Sequence, residues 1–298
     1  MSDAVHGYRA AAAAERRFAL LLLAPSLALI FVSTVLPVIY LVWTSFQHED
    51  LSMPYLNGFD GLANFATMLG DSQFWNALAL SAVYTGATVI LQVAIGLGLA
   101  LAISQVRRGQ GLTRLVAILP VVLAPVVVGL FFRTLVLTPT FGIFDYFTQL
   151  VGLGSHNWLG DPGLALISVI AIHTWQWTPF AFLVFLAALA SLPADIYEAA
   201  RMDRASAFRR FWHITLPLLR PAIMIVAILR ITVALSAFAA LYAATGGGPG
   251  TATEILNLYA YRISFSELQI GYGAALAVTL MIITLAISFT LFRLRRAR

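Results

Sequence analysis

The chain of 298 residues contains no cysteine, no lysine and little charge of either sign. Without cysteine, it cannot be a disulfide scaffold, use a cysteine nucleophile or hold a metal by thiolates. All 18 of its basic Lys and Arg residues are arginines, so it lacks the lysine of a phosphate-binding P-loop, of a Schiff base and of a kinase fold. Any ATP that drives this protein must therefore bind to another chain.

Most of the chain consists of long apolar stretches with few charged residues. Charged residues make up 10% of the sequence and hydrophobic residues 60%, whereas soluble domains are about 25% charged. A helix needs about 20 apolar residues to cross a bilayer, and six stretches meet this length: 18–46, 74–104, 115–137, 164–190, 222–244 and 271–292. The first exceeds the roughly 7–15 apolar residues of a cleaved signal peptide. The sequence predicts an all-α integral membrane protein, with a tail at 1–17 and a six-helix domain at 18–298.

The arginines lie mainly in connections on one predicted side of the membrane. These are Arg9, Arg16, Arg17, Arg107, Arg108, Arg114, Arg201, Arg204, Arg209, Arg210, Arg220, Arg293, Arg295, Arg296 and Arg298. On the other side, Arg262 stands among the acids Glu49, Asp50, Asp60, Asp71, Asp145, Asp161, Glu254 and Glu267. Because arginine-rich connections stay in the cytoplasm, both termini are predicted to be cytoplasmic. This charge sets topology, and the chain has no basic soluble face for nucleic acid.

Small residues recur at every fourth position in the second stretch, at Ala94, Gly98 and Ala102. This spacing allows a neighbouring helix to approach closely. We expect this stripe to pack against protein.

The predicted cytoplasmic connection 191–221 is long for a simple link. Ser191 can cap a helix, Pro193 suits a first turn, and Asp195 favours the positive end of a helix dipole. A short helix with alanines and a few apolar residues among its charges follows. Lipid-binding helices usually present a broad face of Leu, Phe or Trp, so this helix is better suited to a groove in a partner protein.

The same connection carries a recognisable motif. Glu198, Ala199 and Ala200, followed at fixed spacing by Ile214, Leu216 and Pro217, resemble the EAA loop of ABC importer membrane subunits, in the maltose-type sugar-permease branch. Arg204 stands where that family has glycine, at a position that can require a positive φ angle. We expect the helix and turn to persist with an altered backbone.

The resemblance covers most of the chain. Further stretches similar to the family are 175–180, 186–189, 218–221, 245–249 and 271–276. It implies the type I ABC importer fold in a bacterial inner membrane, a second homologous permease chain, a cytoplasmic ATPase homodimer that binds Mg-ATP, an extracytoplasmic solute-binding protein and a carbohydrate substrate. No cofactor or metal is expected in this chain. The implied ATPase-coupling residues are Glu198, Ala199, Ala200, Asp203, Arg204, Ile214, Leu216 and Pro217, and the implied docking loop for the binding protein is Gly246, Gly247, Gly248 and Pro249.

Two arginines fall within predicted spans, where ionisable side chains are costly and often functional. Arg133 is near a span end and can extend to the interface. Arg230 is predicted near the bilayer midplane, and no acid lies in any span. Its partner is therefore a carbonyl, another chain or the substrate; relatives often carry an aspartate nearby, where Val233 and Ala239 stand here. Arg230 either lines the substrate path or holds helices together.

Other polar or aromatic residues in the spans are candidates for binding sugar hydroxyls or stacking on sugar rings. With Arg230, the predicted path residues are Tyr84, Gln92, His173, Gln176 and Trp177. Each is also compatible with an ordinary packing role.

Three other functions are alternatives to this interpretation. An ion-coupled secondary transporter of small polar solutes usually needs acids in its spans. A membrane enzyme needs clustered catalytic or ligating groups, whereas the five histidines are scattered. A purely structural membrane protein leaves the long connection without a role.

Overall fold

The computed structural model describes residue 18, residues 20–104 and residues 110–296. The predicted tail at 1–17, Arg107, Arg108 and Arg298 lie outside this part of the chain. Five of the described helices are long and apolar enough to cross a membrane. They are α1 (Leu20–Thr44), α3 (Ser72–Ser104), α7 (Pro162–Ala190), α9 (Ala207–Leu235) and α12 (Ile270–Arg296).

Shorter elements connect these helices. They are β1 (Gln47–His48) and β2 (Gly58–Phe59), an antiparallel pair, with α2 (Ala63–Gly70), α4 (Gln110–Val122), α5 (Pro125–Val136), α6 (Ile143–Leu150), α8 (Ala194–Met202), α10 (Ala239–Ala244) and α11 (Leu256–Tyr261). One end of the bundle carries α8, and we call it the α8 end. The other carries residues 245–250, and we call it the glycine-loop end.

The predicted third span, 115–137, is broken in the structure. α4 ends at Val122 and α5 begins at Pro125. Ala124 is extended, with ψ 134°, because a residue that precedes proline is held away from the helical region. The prediction of one continuous helix here was wrong.

The predicted fifth span, 222–244, also has the wrong bounds. α9 begins at Ala207, so Ile214, Leu216 and Pro217 lie in this helix rather than in a loop. It ends at Leu235, and the chain is irregular at 236–238 before α10. The Asn257 side chain donates to the carbonyl oxygens of Ser236 and Ala237 at 3.3 Å each, and so supplies partners that a continuous helix would have given them.

Residue chemistry fixes the start of two long helices. The Asp161 carboxylate accepts hydrogen bonds from the backbone N–H groups of Gly163 and Leu164 at the start of α7, and Pro162 suits the first turn. Ser206 caps α9 by accepting from Arg209 N–H at 3.2 Å. Ser191 does not cap α8 as expected: it ends α7, and α8 starts after Pro193 with no side-chain cap.

The core lies where α3 and α7 pack together. A Cβ built on Gly96 would lie 2.8 Å from Ala181 Cβ and 2.9 Å from Phe182 N, so only glycine allows this approach. Ala100 is also buried. The predicted stripe of Ala94, Gly98 and Ala102 is instead exposed in this chain, and packing within the chain uses a different face of the helix.

Candidate functional site

A cluster of buried polar side chains lies between α3, α7 and α9. Arg230 is 2% exposed, and its Nε donates to Gln92 Oε1 at 2.7 Å. The Gln92 Nε2 in turn lies 3.3 Å from both the backbone oxygen and Nδ1 of His173. The partner of Arg230 is thus a side-chain amide oxygen of the same chain, an option that the sequence interpretation had not named.

Aromatic rings surround this guanidinium. Its carbon lies 4.5 Å from the centre of the Trp177 ring and 5.9 Å from that of Phe180, distances at which a ring face attracts a cation. The Tyr84 ring lies 5.4 Å from that of His173. The structure therefore brings together five of the six predicted path residues, and it adds Phe180, which the sequence interpretation missed.

A cavity of about 400 Å³ opens beside this cluster, at the break between α9 and α10. His173, Gln176 and Trp177 line one wall, and residues from 232 to 241 form much of the rest. Gln176 Nε2 donates to the backbone oxygen of Leu123 at 3.2 Å, which lies at the break between α4 and α5. Both helix breaks thus lie close to the sixth predicted path residue, Gln176.

At the α8 end, the segment with the EAA-like motif forms a helix and a turn. Asp203, Arg204 and Ala205 donate backbone hydrogen bonds to Ala199, Arg201 and Ala200 at 2.9–3.0 Å. Arg204 has φ 54°. This is the bonding pattern of a helix that ends on a left-handed residue, a position usually held by glycine. The helix and turn persist as expected. The expected change in the backbone was wrong, because Arg204 adopts the positive φ angle itself.

This helix is braced against the membrane helices and exposed on its other side. Tyr197 Oη lies 2.9 Å from the Thr215 hydroxyl of α9, and Thr215 is 5% exposed. Glu198 and Ala199 are exposed. Large apolar side chains also face outward here: Ile196, Met202, Phe208 and Trp212.

The glycine loop is folded against the other end of the bundle. Gly246, Gly247 and Gly250 have positive φ angles, and Gly248–Pro249 is a cis peptide bond. Thr253, which is fully buried, donates to the Gly248 oxygen at 2.8 Å. Gly247 is buried, whereas Gly246 is exposed, so the loop presents only part of its length.

Charged residues brace this end. Glu254 is 4% exposed and accepts from Arg262 Nε at 2.6 Å and from Gln73 Nε2 at 2.8 Å. Glu254 and Arg262 were seen in the sequence only as part of the charge count. The contact between Gln73 and Glu254 joins residues 181 positions apart, which no local pattern could reveal.

Comparison with known proteins decides the family. Residues 93–296 match the family described as the binding-protein-dependent transport system inner membrane component. The chain belongs to this family.

Relatives of this transport family resemble the chain over nearly all its length. It is 33% identical to the trehalose/maltose transport system permease protein of Thermococcus litoralis over 285 residues, which cover 95% of each chain. It is 34% identical to the sulfoquinovosyl glycerol transport system permease protein of Agrobacterium fabrum, over 95% of this chain and 92% of that one. The chain is thus a multi-pass ABC transporter permease of the inner membrane.

The fold also matches a solved structure of this class. A chain of a bacterial ABC transporter involved in import of the acidic polysaccharide alginate superposes with a TM-score of 0.84 at 21% identity, covering 97% of this chain and 99% of that one. This supports the type I importer fold. The EAA-like segment lies within residues matched to the permease family.

Proposed function

We propose that this permease is one half of the membrane unit of an ATP-driven importer for a carbohydrate. A second homologous permease completes the unit, a cytoplasmic ATPase homodimer hydrolyses Mg-ATP, and an extracytoplasmic binding protein delivers the substrate. The relatives that belong to transport systems for trehalose, maltose and sulfoquinovosyl glycerol support the substrate class.

The observation that carries this proposal is the exposed helix α8. Its Glu198 and Ala199 face outward, while Tyr197 joins it to α9 through Thr215. A partner that moves α8 would therefore move α9 and the polar cluster around Arg230. The five arginines from Arg201 to Arg220 lie at this end, and such enrichment favours a cytoplasmic location.

The substrate path runs past the cavity at the break in α9. Its wall carries Gln176 and His173 as hydrogen-bonding groups and Trp177 as an aromatic surface, the combination that binds sugars. At the opposite end, the exposed Gly246 and the half-buried Gly248 and Pro249 form part of the surface on which the binding protein docks.

An ion-coupled secondary transporter is the alternative. Such proteins couple to protons or sodium through acids in the membrane. The five described spanning helices contain no Asp or Glu, so nothing in them favours ion coupling.

The absence of cysteine from this chain makes a direct contact test possible, because a single introduced cysteine is the only thiol of the permease that can be labelled. Ala199→Cys, labelled with a photoactivatable cross-linker in the complete complex, should cross-link to the ATPase. Gly248→Cys, labelled in the same way, should cross-link to the binding protein and not to the ATPase. If Ala199→Cys cross-links to no ATPase chain, the coupling role of α8 is wrong.

Function is tested by charge reversal on α8. Glu198→Lys should abolish ATP-driven uptake while the complex still inserts and assembles. Asp60→Lys, an exposed acid at the other end, is the matched control and should leave uptake near the wild-type level. Normal transport by Glu198→Lys would refute the coupling role.

A further inference from the structure

Arg230 is a buried cation without an acidic partner. Its side chain is 2% exposed, and no described carboxylate lies within 4 Å of it. Nε is satisfied by Gln92, but Nη2 is buried and has no hydrogen-bond partner among the described residues. A guanidinium buried in a membrane is stabilised by a compensating negative charge and by hydrogen bonds to its N–H groups. At Arg230 both are incomplete among the described residues, so an anion that binds Nη2 would stabilise this side chain.

Two other polar atoms of the predicted path residues also lack partners, one in the cluster and one on a residue of the cavity wall. The Tyr84 hydroxyl and Gln176 Oε1 are both buried without a hydrogen bond among the described residues. A hydroxyl can donate to an anion, as Arg230 Nη2 can, whereas an amide oxygen accepts from a sugar hydroxyl. The groups without partners are thus two donors, Arg230 Nη2 and the Tyr84 hydroxyl, and one acceptor, Gln176 Oε1. A ligand that carries both an anionic group and hydroxyls would form hydrogen bonds with all three.

Trp177 connects these groups to open space. It lines the cavity of about 400 Å³ and also lies against the Arg230 guanidinium, 4.5 Å from its carbon to the ring centre. Gln176 lines the same cavity. This volume lies within the usual range of about 300–1,000 Å³ for small-molecule pockets. A shift of the Trp177 ring would expose the guanidinium to a ligand there.

We propose that Arg230 binds an anionic group, a carboxylate or a phosphate, on the carbohydrate that this permease carries. Trp177 provides a surface for the sugar ring, Gln176 accepts one of its hydroxyls, and Tyr84 donates a second hydrogen bond to the anion. This inference rests on the proposed function and narrows its substrate class from carbohydrates in general to acidic ones.

The test compares matched probes that differ in one charged group. Methyl β-glucuronide is compared with methyl β-glucoside, and glucose 6-phosphate with glucose, by ligand-observed NMR on the assembled permease–ATPase complex in nanodiscs without binding protein. In at least one pair, the anion should bind ten-fold or more tightly than its neutral counterpart. Equal binding within both pairs, or no binding of any probe, would overturn the proposal.

Three variants test whether the preference for the anionic probe depends on Arg230. Arg230→Gln should remove it, Arg230→Lys should retain most of it because the charge remains, and Arg133→Gln, which changes an exposed arginine, should leave it intact. A preference that survives Arg230→Gln would contradict the assignment. If Arg230→Gln does not assemble, the wild-type protein and Arg230→Lys still test the assignment. Loss of the preference for the anionic probe in Arg230→Lys would contradict the proposal that the charge at this position binds the anion.

Uptake by the complete transporter separates this inference from the proposed function. ATP-driven uptake of an anionic carbohydrate that Arg230→Gln does not alter would overturn the anion subsite and leave the importer function in place. Failure of the complete complex to import any carbohydrate with ATP would overturn the proposed function itself.

Discussion

At the scale of single residues, Arg204 is held in a conformation that most side chains avoid. Its φ of 54° places it where glycine ends a helix. The left-handed conformation costs an L-residue about 1–2 kcal/mol. The bonds from Arg204 and Ala205 back into α8 offset that cost.

We expect Arg204→Gly to raise the stability of this turn by about 1 kcal/mol, because glycine adopts the same angle without steric strain. Thermal unfolding of the purified complex measures the change. Ala199→Gly is the control, since glycine in the interior of α8 should lower stability by about 0.5–1 kcal/mol. A lower unfolding midpoint for Arg204→Gly would show that the arginine side chain contributes more than its backbone angle costs.

Single residues also show where the sequence was a sufficient guide. The spacing from Glu198 to Pro217 predicted the helix and turn, because the motif is local. Arg230 was placed near the bilayer midplane from its position within an apolar stretch alone. Its contact with Gln92 could not be predicted, since the two residues lie 138 positions apart and many polar residues of the spans were equally available.

At the scale of helices, the sequence predicted the first, second, fourth and sixth spans closely, but it did not predict the interruptions in the third and fifth. Pro125 explains the break after α4, although a proline alone does not tell a kink from a break. The break at 236–238 contains no glycine or proline, and its partner Asn257 comes from another helix. Because the apolar stretch 222–244 contains no local signal of this break, its sequence predicts a continuous span.

The contact between α3 and α7 depends on one glycine rather than on the repeated small residues. We expect Gly96→Ala to lower the free energy of unfolding by about 1–3 kcal/mol, as overpacking does, because the new Cβ would lie 2.8 Å from Ala181 Cβ. Gly98→Ala is the matched control: nothing lies within 4 Å of its new Cβ. Equal stability of the two variants, measured by thermal unfolding of the complex, would contradict this packing.

The connection that contains α6 is organised by one carboxylate. Asp145 is fully buried and accepts hydrogen bonds from His156 N–H at 2.8 Å and from the Ser155 hydroxyl at 2.7 Å. These bonds hold the pKa of Asp145 below its ordinary value, although burial opposes the shift. A depressed folded-state pKa stabilises the fold above the unfolded-state pKa of about 3.9, and that stabilisation is lost as the pH falls toward the folded-state pKa.

We therefore expect the connection 138–161 to stay protected from hydrogen exchange at pH 7 and to lose protection only below about pH 4. Asp145→Asn should lose it already at pH 7, because an amide cannot accept the same set of bonds. Exchange rates corrected for the intrinsic effect of pH measure this, with Asp60→Asn as the exposed control. Unchanged protection in Asp145→Asn would show that other contacts order the connection.

At the scale of the whole molecule, charge and exposure indicate a part of a larger assembly. The α8 end carries arginines and an exposed apolar surface, while the glycine-loop end carries most of the acids. The described residues of α1 up to Tyr40 are all exposed in this chain, as expected for a helix that faces lipid or another subunit. The chain has no lysine for a phosphate-binding loop, and the described spanning helices contain no acid. Under the proposed function, we expect it to take its energy from a partner ATPase.

The most direct test of this dependence is solute uptake into proteoliposomes that contain the complete complex, with ATP inside, the binding protein and its bound solute outside, and ion gradients collapsed by ionophores. We predict that uptake continues under these conditions, requires both ATP and the binding protein, and stops in Glu198→Lys. Uptake by this chain alone, driven by a proton or sodium gradient without the ATPase, would contradict the account.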